Sequence, residues 1–105
     1  MKKILLACST GVSTAMLVKK MKEAATEKNI NIEIESVAEI LSHKMIDDIS
    51  VLMLGPQIAY FESHFKNKYS DTIPVATIPM MDYGLMNGKK VLEQALDLIY
   101  NFSPS

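Results

Sequence analysis

A single cysteine stands where the first apolar run of the chain gives way to a helical pattern. Cys8 follows residues 3–7, whose continuous apolar character is typical of a buried strand, and an amphipathic helix begins near Ser13. A strand, a turn of small residues and a helix N-terminus direct several backbone N–H groups toward one place, which favours a bound anion such as phosphate. Helix N-termini also lower the pKa of a cysteine thiol. This arrangement predicts a thiolate nucleophile that takes up a phosphoryl group.

The turn after Cys8 is built from small and hydroxyl-bearing residues, which we expect to surround the phosphoryl group. They are Ser9, Thr10, Gly11, Val12, Ser13 and Thr14. Gly11 allows positive φ and a close backbone approach, and Ser13 also suits the N-cap of the helix. A lone cysteine in an α/β core is often only a small apolar side chain. Its place at the end of a strand, before this turn, favours the reactive role for Cys8.

The elements that must position this turn alternate between strand and helix. The expected strands cover residues 3–7, 32–37, 50–54 and 75–78, and the expected helices cover residues 13–28, 58–68 and a last segment that starts after Asn87. A short helix is expected over residues 37–41. The apolar side of the first helix is expected to be Ala15, Leu17, Met21, Ala24 and Ala25. Such alternation implies parallel strands with right-handed crossovers, and predicts an α/β fold with an open four-stranded sheet in the order 2-1-3-4 and helices on both faces.

Open parallel sheets bind ligands at the carboxyl ends of the strands, where the strand order reverses. Here that place lies between the first and third strands, and residues 55–57 and 80–84 leave their strands at the same edge as Cys8. Gln57 either braces the cysteine loop or simply starts a helix after a proline. Asp82 and Tyr83 shape the pocket or a docking rim, although a solvated turn is the commoner setting for an aspartate. Three methionines fall near this rim and suit an adaptable docking surface as well as a core: Met80, Met81 and Met86.

Composition restricts the classes of protein to consider. The 105 residues suit one domain, which we place at residues 1–101 with a frayed tail at 102–105. A net charge of −1 argues against a nucleic-acid partner, and the chain contains no arginine. One cysteine permits neither an internal disulfide nor a cysteine-cluster metal site, and His43 and His64 are expected at the surface. We expect no metal and no cofactor. Because no apolar run approaches the roughly 20 residues of a membrane span, the pattern favours a cytosolic monomer.

The spacing of the cysteine loop is similar to that of the low-molecular-weight tyrosine phosphatases, which also place a nucleophilic cysteine after the first strand. Where those enzymes carry an arginine, this chain has Thr14. Without a guanidinium, the charge of the transition state must be met by backbone N–H groups and hydroxyls. This difference argues against an efficient phosphatase.

Three motifs together resemble the enzyme IIB subunits of the bacterial sugar phosphotransferase system, in particular the lactose/cellobiose type, also called chitobiose or oligo-β-mannoside type. They are residues 8–14, residues 54–60, and residues 82–84 with the pair Asn87-Gly88, and the resemblance spans residues 1–101. Pro79 is a departure, because relatives often carry a polar residue there.

The resemblance implies a cytosolic phosphotransferase with two protein partners. Cys8 would accept a phosphoryl group from a phosphohistidine of a IIA protein and pass it to a sugar, such as the β-linked disaccharide cellobiose, bound in a membrane IIC protein. The chain would then associate transiently with the inner face of the membrane through IIC. Two alternatives stay open: a small phosphatase-like hydrolase, and a regulator that uses a modified Cys8 as a switch.

Overall fold

Strands and helices alternate along the chain. The computed structural model describes residues 2–9, 13–38 and 47–103. The strands are β1 (Lys2–Cys8), β2 (Ile32–Ala38), β3 (Val51–Leu54) and β4 (Val75–Thr77). The helices are α1 (Ser13–Glu27), α2 (Glu62–Tyr69), α3 (Met80–Gly84) and α4 (Gly88–Asn101), and a 3₁₀ helix, Pro56–Phe61, precedes α2.

The four strands form one parallel sheet in the order β2-β1-β3-β4. In the registers that β1 forms with its two neighbours, Ile4 lies opposite both Ile34 of β2 and Val51 of β3. The predicted strand order is confirmed, with β2 as an edge strand. The order reverses between β1 and β3, so the carboxyl ends of these two strands border the crevice expected to hold a ligand.

Strand β1 supplies side chains to both faces of the sheet. Ile4 and Leu6 belong to one core cluster, whereas Leu5 and Ala7 belong to the other. Successive side chains of a strand point to opposite faces, which explains why this strand is apolar throughout rather than alternating. The same alternation places Cys8 on the face of Ile4 and Leu6.

Helices cover both faces of the sheet, as predicted. Helices α1 and α4 pack on the face of Ile4 through residues such as Leu17 and Leu92. The 3₁₀ helix and α2 pack on the other face through Ile58 and Phe65. The cysteine therefore faces the layer formed by α1 and α4.

Two asparagines define helix ends, one of them Asn87, after which the last helix was expected to start. Asn29 adopts a left-handed conformation with φ of 56° after α1, its N–H donates to the carbonyl of Thr26, and the N–H of Ile30 donates to the carbonyl of Ala25. These two bonds form a Schellman motif. At the start of α4, Asn87 Oδ1 accepts a hydrogen bond of 3.2 Å from the N–H of Lys90, which is an N-cap.

Helix α4 starts against the backbone of α1. A Cβ added to Gly88 would lie 2.4 Å from the carbonyl carbon of Lys20 and 2.6 Å from the nitrogen of Met21. Only a residue without a side chain allows the two helices to approach this closely. This contact fixes the layer that covers Cys8.

Several expectations on local structure were wrong. Val37 and Ala38 belong to β2, not to a short helix, because they pair with Ala7 and Cys8 of β1; the rest of that expected helix lies outside the described residues. The helix expected from residue 58 begins earlier, as the 3₁₀ helix, and kinks at Ile58.

The expected apolar side of α1 was displaced by one residue at its start. Ala15 is exposed, whereas Thr14 and Val18 are buried along with the other predicted residues. The buried stripe therefore begins at Thr14 and continues at the helical spacing. A threonine can be buried there because its hydroxyl has a hydrogen-bond partner.

Candidate functional site

Cys8 is the last residue of β1, and its side chain is 1% exposed. Its partner in the register with β2 is Ala38. On the other side lies Gly55, the residue after β3, whose N–H donates a hydrogen bond of 2.8 Å to the carbonyl of Ala7. The two neighbouring strands thus place small residues on both sides of the thiol, at the point where the strand order reverses.

The hydroxyl of Thr14 lies beside the thiol. Cys8 Sγ and Thr14 Oγ1 are 3.4 Å apart, within hydrogen-bond distance when sulfur is one partner, and Thr14 is completely buried in the first turn of α1. If Cys8 is ionised, its sulfur can only accept, so the hydroxyl must donate. A hydrogen bond to the charged form favours that form, so this contact supports a thiolate.

The remaining residues of the predicted phosphate loop are only partly described. Ser9 is exposed immediately after β1, and Ser13 is the first residue of α1. Thr10, Gly11 and Val12 lie outside the described residues. The structure thus supplies the two ends of the loop, the strand that ends at Cys8 and the helix that begins at Ser13.

Gln57 lies beside Cys8 because Gly55 leaves room for it. Gln57 is an exposed residue in the first turn of the 3₁₀ helix. A Cβ added to Gly55 would lie 2.8 Å from Gln57 Oε1 and 3.3 Å from Cys8 Cβ. The carboxamide and the cysteine therefore border the same small space. The sequence left open whether Gln57 braces the cysteine loop or starts a helix, and it indicated Gly55 only as the end of a strand.

Asp82 and Tyr83 have different surroundings in α3. Tyr83 is buried in the core cluster on the α1 and α4 face. Asp82 is half-buried and lines a groove of about 610 Å³ between the β4 end of the sheet and α4, where Pro79 and Pro74 also contribute. Since this segment was expected as a loop or solvated turn, the helical turn of α3 is a difference from the prediction.

The methionines after β4 are divided between surface and core. Met80 and Met81 are 73% and 75% exposed at the start of α3. Met86 is half-buried, has φ of 52° and packs against the core. The two exposed methionines fit the docking surface that the sequence suggested better than Met86 does.

The histidines and carboxylates do not form a second centre in the described residues. His64 is exposed on α2, where its ring meets Phe65 at 5.6 Å between centroids, and His43 lies outside the described residues. Within the described ranges there is no group of three or more His, Cys, Asp or Glu side chains arranged to hold a metal ion. In those ranges no helix has the length and apolar character to cross a membrane.

Comparison with known families assigns the chain with this site to a family. Residues 3–94 match the family model described as the lactose/cellobiose-specific IIB subunit of the phosphotransferase system. The chain belongs to this IIB family. IIB components are phosphotransferases of sugar uptake, and they work with IIA and IIC partners.

Two relatives with assigned sugars match almost the whole IIB chain. The oligo-β-mannoside-specific EIIB component of Bacillus subtilis (strain 168) is 41% identical over 102 residues, which cover 96% of this chain and 99% of the relative. The galactose-specific EIIB component of Lactococcus lactis subsp. cremoris (strain MG1363) is 40% identical and covers 93% of this chain and 96% of the relative. The sugars differ between relatives of nearly equal identity.

Solved structures support the same fold. The solution structure of a cellobiose-specific phosphotransferase IIB component from Borrelia burgdorferi is 37% identical, with a TM-score of 0.83, and covers 99% of this chain and 96% of its own. A YwlE mutant from Bacillus subtilis has a TM-score of 0.54 at 12% identity and covers 94% of each chain. The second likeness concerns the fold alone, and confirms the predicted similarity to low-molecular-weight tyrosine phosphatases.

Proposed function

We propose that this IIB chain carries a phosphoryl group on Cys8, accepting it from a phosphohistidine of a IIA protein and passing it to a sugar bound in a membrane IIC protein. The proposal depends chiefly on the contact of 3.4 Å between Cys8 Sγ and Thr14 Oγ1 at the end of β1. A thiol with a hydroxyl partner, next to a helix N-terminus at the reversal of strand order, is suited to act as a nucleophile.

The transfer consists of two displacements at phosphorus. In the first, the Cys8 thiolate attacks, the S–P bond forms as the N–P bond of phosphohistidine breaks, and the imidazole leaves with the electron pair and takes up a proton. In the second, a sugar hydroxyl attacks, the S–P bond breaks and the thiolate is regenerated. The proton of that hydroxyl goes to a base in the IIC partner. Both steps depend on in-line positioning and on stabilising the charge of the phosphoryl oxygens.

We assign that charge stabilisation to the loop after Cys8. Its backbone N–H groups and hydroxyls, from Ser9, Thr10, Gly11, Val12, Ser13 and Thr14, would surround the phosphoryl oxygens. Because the chain contains no arginine, these neutral donors replace a guanidinium. A loop of this kind favours a carrier over a hydrolase, since nothing in it is a dedicated activator of water.

The exposed apolar side chains at the same edge support docking of the two protein partners. Met80 and Met81 are exposed beside the end of β4, and Asp82 and Tyr83 follow them in α3. We assign this short helix to the docking rim, with Tyr83 holding it to the core. The chain would act in the cytoplasm as a monomer, reaching the membrane only through IIC. By resemblance to its relatives, we propose a β-linked disaccharide such as cellobiose as the sugar.

The decisive experiment is the intact mass of the protein after incubation with a phosphorylated IIA donor. We expect the wild-type chain to gain one phosphoryl group and the Cys8→Ser variant to gain none, because a hydroxyl is far less ionised than a thiol. Circular dichroism of the variant checks that it folds. A phosphorylated Cys8→Ser variant, or rapid release of free phosphate by the isolated wild-type chain, would contradict the carrier function.

A further inference from the structure

The side chain of Gln57 turns inward although the residue lies at the surface. Gln57 is exposed as a whole. A Cβ at position 55 would nevertheless lie 2.8 Å from Gln57 Oε1 and 3.3 Å from Cys8 Cβ, so both atoms border the same space. A long polar side chain at the surface can keep its polar end in water, so an inward-turned end is unusual. The end of this one lies on the side of Gly55 where Cys8 Cβ also lies.

The hydrogen-bonding groups of the Gln57 carboxamide are unused within the described part of the chain. It forms no hydrogen bond with any residue in the described ranges, and a glutamine carries two N–H donors beside its carbonyl oxygen. A phosphoryl group on Cys8 would bring three acceptor oxygens into this region. We infer that the Gln57 carboxamide, rotated about its last bond so that Nε2 rather than Oε1 faces Cys8, donates a hydrogen bond to a phosphoryl oxygen carried on Cys8, and that Gly55 is the positioning residue that makes room for it. This inference rests on the proposed function of Cys8.

The reason for glycine at position 55 is space, not backbone conformation. Gly55 has φ of −62°, which any residue adopts. A methyl group there would collide with Gln57 Oε1 and press on Cys8 Cβ. Alanine at this position should therefore turn the carboxamide away from the cysteine while leaving the glutamine in the chain.

The absence of arginine explains why one neutral donor matters. In a site without guanidinium groups, each donor aimed at the equatorial oxygens contributes a larger share of the stabilisation in the transition state. A single hydrogen bond to a charged group contributes about 1.5 kcal/mol, or roughly a tenfold change in rate. The effect of Gln57 should be of this size, because its side chain lies at the edge of the site.

The test measures the rate at which phosphoryl groups appear on Cys8 from a phosphorylated IIA donor, by intact mass. We expect Gln57→Ala to slow the transfer about tenfold and Gln57→Glu to slow it further, because a carboxylate repels the phosphoryl group. The ³¹P resonance of the phosphocysteine should also move in Gln57→Ala, which a purely structural role would not cause. The control is Gln94→Ala on α4, whose carboxamide donates to the Thr77 carbonyl, and it should leave both measurements unchanged.

A double substitution separates the role of Gly55 from that of packing. If Gly55 acts through Gln57, the loss caused by Gly55→Ala should be smaller when Gln57 is already alanine. An equal loss in both backgrounds overturns the role given to Gly55. Normal phosphorylation of the wild type, with Gln57→Ala transferring at the same rate and showing the same ³¹P resonance, overturns the inference on Gln57 alone. A wild-type chain that takes up no phosphoryl group overturns the proposed function and this inference with it.

Discussion

The thiol of Cys8 experiences opposing influences from its surroundings. Burial in the sheet disfavours the thiolate, whereas the Thr14 hydroxyl at 3.4 Å and the nearby start of α1 favour it. We expect the favourable contacts to prevail and the pKa of Cys8 to lie below that of a free thiol. The same hydroxyl would stabilise the thiolate when it leaves in the second step. Thr14 therefore fits both directions of the transfer.

Replacing Thr14 by valine tests this contact at nearly constant volume. Thr14→Val should raise the pKa of Cys8 and slow phosphoryl uptake about tenfold, since one hydrogen bond to a charged sulfur is lost. The rate of thiol alkylation as a function of pH reports the first effect, and intact mass over time the second. Thr14→Ser keeps the hydroxyl and should restore both. Alkylation of the valine variant with the same pH midpoint as the wild type would show that Thr14 does not act on the thiol.

Among the elements, β4 has an edge that side chains from two helices cover. The N–H of Thr77 donates to Glu62 Oε1 of α2 at 2.8 Å, and its carbonyl accepts from Gln94 of α4 at 3.4 Å. These are the backbone groups that the last strand of a sheet leaves unpaired, and covering them opposes edge-to-edge association. The pKa of Glu62 lies below its usual value chiefly because of a hydrogen bond from Thr77. Burial opposes this effect, and the Lys66 ammonium at 3.4 Å lowers the pKa further.

The lowered pKa of Glu62 makes part of the stability depend on pH. A carboxylate with a depressed pKa in the folded state stabilises the protein above its unfolded pKa, and this contribution is lost as the pH falls through the folded value. Glu62→Gln should therefore be less stable than the wild type at neutral pH, by less than about 1 kcal/mol because the side chain is partly exposed. In acid the difference should disappear.

Urea unfolding at neutral and acidic pH measures this difference. Glu23→Gln, which removes an exposed carboxylate of α1, serves as the control and should show no such trend. An unchanged gap between Glu62→Gln and the wild type at both pH values would mean that the carboxylate charge does not stabilise the edge of β4.

At the scale of the whole molecule, the exposed apolar side chains are concentrated around the edge that holds Cys8. In the described part of the chain, four of the six large apolar side chains that are exposed lie in the helical segment directly after a strand: Met16 in the first turn of α1, Tyr60 in the 3₁₀ helix after β3, and Met80 and Met81 at the start of α3. Leu85 follows α3 and lies beside the C-terminal half of α1, and Tyr100 lies at the far end of α4. Clustered apolar exposure of this kind is typical of a surface that contacts other proteins.

A matched pair of substitutions tests whether this rim binds the donor. Met81→Ser should weaken the affinity for a IIA protein roughly tenfold, because an exposed apolar contact at the centre of an interface contributes more than about 1 kcal/mol. Tyr100→Ser removes an equally exposed apolar side chain at the other end of α4 and should leave the affinity unchanged. Calorimetry measures both. Equal affinities for the two variants, or a larger loss for Tyr100→Ser, would place the docking surface elsewhere.

The parts of the fold that could be predicted from the sequence are those in which local chemistry agrees with the tertiary environment. The continuous apolar run of β1 indicated a strand covered on both faces, and Asn29 and Asn87 defined helix ends through their own backbone and side-chain bonds. Ala15 was misplaced because alanine fits either side of a helix. Ala38 was misassigned to a helix because a strand residue at the sheet edge receives its pairing from β1, which no local pattern reveals.

The sequence by itself determined the strand order and the place of Cys8, because these follow from residue spacing and from the rule that parallel strands end at one edge. It indicated the family through the resemblance of three motifs to known IIB subunits. Only the tertiary structure decided which side chains approach the thiol. Thr14 reaches it through the rotation of α1, and Gln57 approaches Cys8 through the empty space at Gly55. The sequence named both residues as candidates for the cysteine loop but could not decide either contact, since each depends on how closely two separate elements pack. The sequence determines which residue is the nucleophile, and the packing of β3 and α1 against β1 determines which side chains surround it.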